Sequence, residues 1–299
     1  MILIVGASGN LGKATVRRLL AAGERVRAMS RAPEQLADWA AQGVEVVRGD
    51  LLDPASLARA CAGVEGVLAA AHAFDSRGGN VPQAVDDAGN RRLMDAARLA
   101  GVRHFVLTSI LTASADHPVD LFRCKYRAEQ YLLASGLSYT ILRPTAYMET
   151  WVALIGDPLV RTGKAMIFGR GTNPINFVAV EDVARVAVAA LTERAPGGRG
   201  IAICGPENLS LTQVAQTVDH ALGRHSPQRH IPRAMLRLMG TAARPFNRTF
   251  ARQATAAYWM DTADMRGDPT ALLAEFPMEM TRLEAVAQRL YGAPEPARR

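Results

Sequence analysis

Over the first half of the chain, short runs of consecutive apolar residues alternate with longer stretches of mixed character. The runs at 2–5 (ILIV), 25–29, 44–48 (VEVVR), 66–70, 103–108 (RHFVLT) and 138–143 (SYTILR) predict β-strands. Between them, apolar positions recur at helical spacing near 10–21, 33–41, 54–61, 82–100 and 119–135. Gly23, Pro33, Gly43, Pro54, Gly101 and Gly136 stand at the joints, where a helix must start or stop. Strands alternating with helices predict an α/β fold with a parallel sheet wound on both faces through right-handed crossovers.

After residue 144 the rhythm changes. A helix is expected near 146–160, and RTGKAMIFGRG (161–171) reads as a hairpin-like turn. VEDVARVAVAALTE (180–193) is amphipathic and is expected to return to the main sheet. A strand at 201–203, a helix at 210–222, a basic helical stretch from 233 interrupted at Pro245, and helices at 268–274 and 281–290 complete the pattern. The terminal GAPEPARR is expected to fray. The reading is a first domain over 1–150, rejoined by 175–193, and a smaller, mainly helical lobe over 151–299.

Composition narrows the class. A chain of 299 residues with 49% hydrophobic and 21% charged residues is ordinary for a globular protein. Cys61, Cys124 and Cys204 are widely spaced with no C-x-x-C, so neither a disulfide framework nor a metal site is expected, and a reducing cytoplasm is the default. MILIVGASG lacks the basic start of a signal peptide, and no apolar stretch approaches the roughly 20 residues of a membrane span. The net charge of +7 is local: residues 221–260 hold seven arginines and no Asp or Glu. That is a patch, not a nucleic-acid-binding composition, and no nucleic-acid partner is expected.

Residues 6–12 read GASGNLG, directly after the first predicted strand and opening the first predicted helix. In that context the glycines have separate tasks. Gly6 permits a tight turn, Gly9 lets the backbone approach a pyrophosphate, and Gly12 lets the helix close on the sheet. With Ser8, Asn10 and Leu11 they form a dinucleotide cradle at a helix N-terminus, on a doubly wound Rossmann sheet. A site for NAD usually carries an acid about 20 residues later to bond the ribose 2′-hydroxyl. Here the second strand ends VRAMSRAP, offering Ser30 and Arg31 and no acid. Arg31 suits a 2′-phosphate, which favours NADP(H); the alternative is a solvated loop residue. Lys13 fits either added positive potential or plain solvent exposure.

GASGNLG, VRAMSR, VVRGDLLDP (46–54), FVLTSI (105–110), YTILRPTAYME (139–149) and FVAVEDVARVAVAAL (177–191) together resemble an atypical short-chain dehydrogenase/reductase of the NmrA-like type. The likeness runs over about residues 1–225. It implies that Asp50 and Leu51 bracket the adenine, that Ala70 and Ala71 line the ribose, that Ser109 occupies the family's serine position, and that Pro144 and Thr145 face the nicotinamide. Plain alternatives stand beside these: Asp50 as a turn former, Ser109 as a strand-end residue. The family includes quinone and other reductases as well as non-catalytic NADP(H)-sensing proteins, with a small-molecule substrate in the enzymes.

The resemblance also implies a Tyr-x-x-x-Lys pair on the helix after the fifth strand. Residues 121–125 read LFRCK, so Lys125 matches the lysine that binds the nicotinamide ribose, and Leu121 stands where the proton-donating tyrosine belongs. The spacing places both on one helix face. Three readings follow: hydride transfer to an acceptor that needs little enzyme acid, such as a quinone; Lys125 as the acid or base itself; or no reduction, the protein being an NADP(H)-bound regulatory or assembly factor. Tyr126, Tyr147 and His72 are the candidate substitute acids. Lys125 and Ser109 are the expected catalytic pair.

In 224–252, Arg233 and Arg237 are four residues apart, as are Arg244, Arg248 and Arg252, with Met235, Leu236, Leu238 and Met239 supplying an apolar surface. Such a basic amphipathic segment suits an anionic membrane surface or a protein partner, or simply covers the substrate cleft. GPENLSLTQVAQTVDHALGR, IPRAMLRLM, RPFN and MDTADM resemble the subgroup of photosystem assembly factors and the NADPH-binding accessory subunit of respiratory complex I.

Overall fold

The structure is a computed structural model that describes residues 1–74, 80–193 and 198–292. The terminal GAPEPARR lies outside the described residues, apart from Gly292. The chain forms two compact units, one of 1–144 with 180–202, the other of 145–179 with 203–299.

In the first unit the apolar runs become strands: β1 (Ile2–Val5), β2 (Val26–Ser30), β3 (Glu45–Arg48), β4 (Gly66–Ala69), β5 (His104–Thr108), β6 (Tyr139–Pro144) and β10 (Arg199–Ile203). They form one sheet in the order β10-β6-β5-β4-β1-β2-β3. All the registers from β3 across to β6 are parallel. Gly198 N–H donates to the Tyr139 carbonyl and Thr145 N–H to the Ile203 carbonyl, so β10 also runs with β6. β1, β4 and β5 are buried along their whole length, which is why they read as unbroken apolar runs and not as alternations. β3, at the sheet edge, is half-exposed.

The connections are α1 (Asn10–Ala21), a 3₁₀ turn Pro33–Leu36 leading into α2 (Ala37–Ala40), α3 (Pro54–Cys61), a π-helical turn Gln83–Gly89 running into α4 (Asn90–Leu99), and α5 (Asp120–Ala134). The core under α3, α4 and α5 is made by residues such as Leu3, Val67, Leu93, Phe105, Leu107 and Leu132. α7 (Val180–Thr192) packs beside α1, where Arg18 pairs with Glu181 at 2.9 Å and Arg17 joins the same carboxylate. Strand order reverses between β1 and β4, the switch point where this architecture opens a crevice at the carboxyl ends of the strands.

The second unit holds β7 (Ala146–Tyr147), α6 (Met148–Thr162), β8 (Ala165–Phe168), β9 (Ile175–Val178), β11 (Glu207–Leu209), α8 (Leu211–Ala221), β12 (Gln228–Ile231), α9 (Arg233–Ala242), α10 (Arg248–Met260), α11 (Thr270–Glu275) and α12 (Leu283–Tyr291). It is helical but not only helical: β9 lies between β11 and β7. The stretch expected to be a hairpin-like turn is instead strand β8, paired in parallel with β12. A hairpin needs an antiparallel neighbour in sequence. β8 finds its partner far downstream, with Ile167 buried beneath it. Asn176, fully buried on β9, accepts from Thr145 Oγ1 (2.8 Å) and Gly205 N–H (2.7 Å) and donates to the Gly205 carbonyl (3.0 Å). It ties three segments of this unit together.

Candidate functional site

Gly6 has φ +86°, and a Cβ there would stand 2.8 Å from the Ala71 backbone nitrogen. Only glycine tolerates both conditions. A Cβ on Gly12 would collide with the Gly6 carbonyl oxygen and the Ala7 Cα. The loop is closed by Gly9 N–H to the Gly6 carbonyl (3.0 Å), and α1 begins with Lys13 N–H on the Gly9 carbonyl (2.9 Å). That start leaves the Asn10, Leu11 and Gly12 N–H groups in the open first turn, with no side-chain cap. Ser8 is half-buried, Gly9, Asn10 and Lys13 are exposed, and Leu11 is buried. The loop is therefore a concave, glycine-lined surface fronted by free N–H donors, which suits a pyrophosphate.

The other cofactor candidates lie along the same edge of the sheet. Ala70 N–H donates to the Val5 carbonyl, which holds Ala70 and Ala71 against Gly6. Ser30 is buried at the end of β2, its hydroxyl accepting from Ala32 N–H at 3.1 Å, and its carbonyl accepts from Gly49 N–H. Arg31 is exposed immediately beyond, with no acidic partner among the described residues. Asp50 does form an Asx turn, its Oδ1 accepting from Leu52 N–H at 2.9 Å, while Leu51 is buried against Gly89. Ser109 N–H donates to the Leu142 carbonyl and Leu111 N–H to the Pro144 carbonyl, so the ends of β5 and β6 advance together. The hydroxyls of Thr108 and Ser109 are buried with no hydrogen-bond partner. A buried hydroxyl without a partner costs stability unless something binds it, and a cofactor or substrate polar group at this edge would.

Lys125 is 6% exposed on α5, one turn after Leu121, which is itself buried. Its Nζ donates to the Thr108 carbonyl at 3.0 Å and lies 2.9 Å from Asp86 Oδ1. Asp86 is fully buried on the π-helical turn, and its Oδ2 accepts from Ala73 N–H at 2.9 Å. The contact with Lys125 is an ion pair whose angle is poor for a hydrogen bond, leaving Oδ1 without a well-aligned donor. Two further links brace the π turn along α5: Gln83 to Asp120 at 3.3 Å and Arg127 to Asp87 at 2.5 Å.

Asp86 was not among the residues singled out from the sequence. The signal was present: Asp86, Asn90, Leu93 and Ala97 share one helix face, and all four are buried. A carboxylate in phase with an apolar stripe must have a partner.

The substitute acids fare differently. Tyr147 has a buried hydroxyl without a hydrogen-bond partner. Burial, with the Glu149 charge second, pushes its pKa well above the usual phenol value, the wrong direction for a proton donor at neutral pH. Tyr126 is half-buried, and His72 is exposed, its Nδ1 accepting from Phe74 N–H at 3.4 Å. His117, which precedes α5, stacks on Phe122 at 4.1 Å, and its Nδ1 accepts from Val119 N–H. Burial holds its pKa below the usual histidine value, so the ring is neutral at pH 7. Burial pushes the thiols of Cys61 and Cys124 up to about 11, which excludes them as thiolate nucleophiles. No group of three metal-ligating side chains occurs among the described residues.

The arginine stripes are not both as expected. α9 and α10 pack against each other, but the turn between them ends one helix and Asn247 caps the next, accepting from Phe250 N–H at 3.0 Å. A new helix therefore starts at Arg248, which takes Arg244 out of its helical phase, and Arg252, one turn after Arg248 on α10, is buried where Arg248 is exposed. Arg233 is drawn to the buried Asp261 (3.5 Å) and lies over the Tyr258 ring. Arg237, Arg244 and Arg248 are exposed. Among the described residues, no helix is long and apolar enough to cross a membrane.

Comparison with known proteins agrees with this geometry. The NAD(P)H-binding family model matches residues 6–194. The chain is 36% identical over 225 residues to (4-alkanoyl-5-oxo-2,5-dihydrofuran-3-yl)methyl phosphate reductase of Streptomyces griseus, covering 75% of this chain and 74% of that protein. It is 27% identical to the photosystem II assembly factor Ycf39 of Synechocystis over 97% of this chain and 90% of that one. The crystal structure of an Escherichia coli NADPH-dependent quinone oxidoreductase complexed with NADPH superposes with a TM-score of 0.78 at 24% identity, over 98% of this chain and 100% of that one. The parallel sheet with its glycine turn is thus the fold of that NADPH-dependent enzyme, and the chain belongs to the NAD(P)H-binding family.

Proposed function

We propose that this chain is an NADP(H)-dependent oxidoreductase that passes hydride to a small acceptor of the quinone type. The observation that carries the reading is Lys125, a cation held nearly solvent-free by Asp86 and the Thr108 carbonyl, with leucine in place of a proton donor one turn before it. Arg31 would take the 2′-phosphate, the open turn of α1 the pyrophosphate, and Lys125 the nicotinamide ribose. When bound, NADPH supplies a hydride. A quinone that accepts it becomes a hydroquinone anion and takes its proton from water, so the product is hydroquinone and no enzyme phenol is consumed. Leu121 then costs nothing chemically and makes the wall beside Lys125 apolar. The reductases among its relatives support this reading.

The test is NADPH oxidation with a panel of quinones and simple carbonyls. Quinone-dependent turnover with little carbonyl reduction is the expected result. Measurable NADPH binding without turnover above background would overturn it.

A second reading is a non-catalytic NADP(H)-bound regulator or membrane-complex assembly factor that docks through the basic segment. It is favoured by Arg237, Arg244 and Arg248 standing exposed in a stretch without acids, around a Phe246 that is 90% exposed. Reversing these three charges should abolish association with anionic liposomes. Wild-type protein that never associates with them removes this reading.

A further inference from the structure

We infer that Asp86 is a positioning residue that sets the charge beside the nicotinamide, and with it the preference between oxidised and reduced cofactor. The inference rests on the proposal that Lys125 meets the nicotinamide ribose. Asp86 is 0% exposed and binds two separate elements through its two oxygens: the Ala73 N–H on the segment after β4, and Lys125 Nζ on α5, both at 2.9 Å. Ala73 lies two residues beyond Ala71, so one carboxylate links the expected ribose-lining segment to the proposed ribose-binding lysine.

The π turn is what brings it there. A π-helical turn leaves the regular hydrogen-bond ladder, and the Asn90 side chain fills the gap by donating to the Asp86 carbonyl at 3.0 Å. Gly89 permits the close approach, since a Cβ would press on the Ala84 carbonyl and on Leu51, each at 2.9 Å.

The charge consequence follows directly. An oxidised nicotinamide ring carries a positive charge and the reduced ring none. A lone, nearly buried Lys125 would oppose the oxidised form, because little water is present to screen it. Asp86 cancels that charge, and the pair is neutral as a unit. The chain therefore keeps a lysine as hydrogen-bond donor without the field of a buried cation.

The test is cofactor affinity measured by fluorescence titration, not turnover. Asp86→Asn keeps the size and the acceptor for Ala73 N–H but removes the charge. It should weaken NADP⁺ binding about ten-fold more than NADPH binding, the order expected for one uncompensated charge nearby. Equal changes for both forms would overturn the inference. The double variant Asp86→Asn with Lys125→Met removes both charges, and its NADP⁺ to NADPH ratio should return to that of wild type; a double variant that keeps the altered ratio also overturns the inference. If Asp86→Asn alone does not fold, Lys125→Met carries the test: it leaves the carboxylate uncancelled and should shift the ratio the opposite way, towards NADP⁺, and an unchanged ratio would overturn the inference. The underlying proposal fails separately: Lys125→Met binding both cofactors as tightly as wild type would show that Lys125 does not meet the ribose.

Discussion

Two basic regions of this molecule treat their cations in opposite ways. Lys125 is buried, fixed by a carboxylate and a carbonyl, and surrounded by elements of the parallel sheet. The α9–α10 segment leaves Arg237, Arg244 and Arg248 in solvent, with Met235, Leu238 and Phe246 exposed among them. A buried cation has to be paired, and the pair is costly to break. An exposed cation needs no partner, contributes little to stability, and is available for binding something outside the chain. Charge at the first site should therefore act on folding and cofactor binding, and charge at the second on association alone.

The contrast is broken most sharply by Lys125→Met. It leaves the Asp86 carboxylate buried without its cation and should lower stability by about 3–5 kcal/mol in urea unfolding, whereas Arg237→Met should leave stability nearly unchanged. Equal small losses at both positions would erase the distinction. Next in size is Gly12→Val, whose side chain would be driven into the Gly6 carbonyl. NADPH binding should be lost while the sheet still folds, read by titration beside circular dichroism. Arg31→Ala should weaken NADPH by roughly ten- to a hundred-fold, the loss of charge-assisted hydrogen bonds to a 2′-phosphate, with NADH little changed. An equal effect on both would refute the phosphate role.

The smallest effect is on pH dependence. Burial holds His104 and His117 below the usual histidine value. The unfolded chain thus binds protons on these rings as pH falls through about 6.5, while the folded chain does not. Stability should be full above that value and decline below it. His104→Gln should flatten that decline, measured as the midpoint of urea unfolding between pH 7 and pH 5.

The centre of the parallel sheet was legible because β1, β4 and β5 are buried along their whole length and so appear as unbroken apolar runs. ILIV at β1 and FVLT in β5 admit few other readings. The glycine loop was legible because Gly6 and Gly12 are each required by a contact that any side chain would violate. What escaped is what depends on partners distant in sequence. AMIF pairs with QRHI, a polar strand that gives no strand signal of its own, so β8 looked like a turn. Arg244, Arg248 and Arg252 looked like one stripe because nothing local shows that the Asn247 cap starts a new helix after Arg244, or that Arg252 faces inward. Asp86 lay in plain view in AVDDAG, but the π turn that aims it at Lys125 has no sequence signature.

The most direct measurement of the central claim is the loss of NADPH absorbance when the purified chain is mixed with a simple quinone, for wild type and Lys125→Met side by side. Quinone-dependent NADPH consumption by wild type, strongly reduced in the variant, is the predicted result. NADPH bound by wild type but consumed no faster with quinone than without it would contradict the claim.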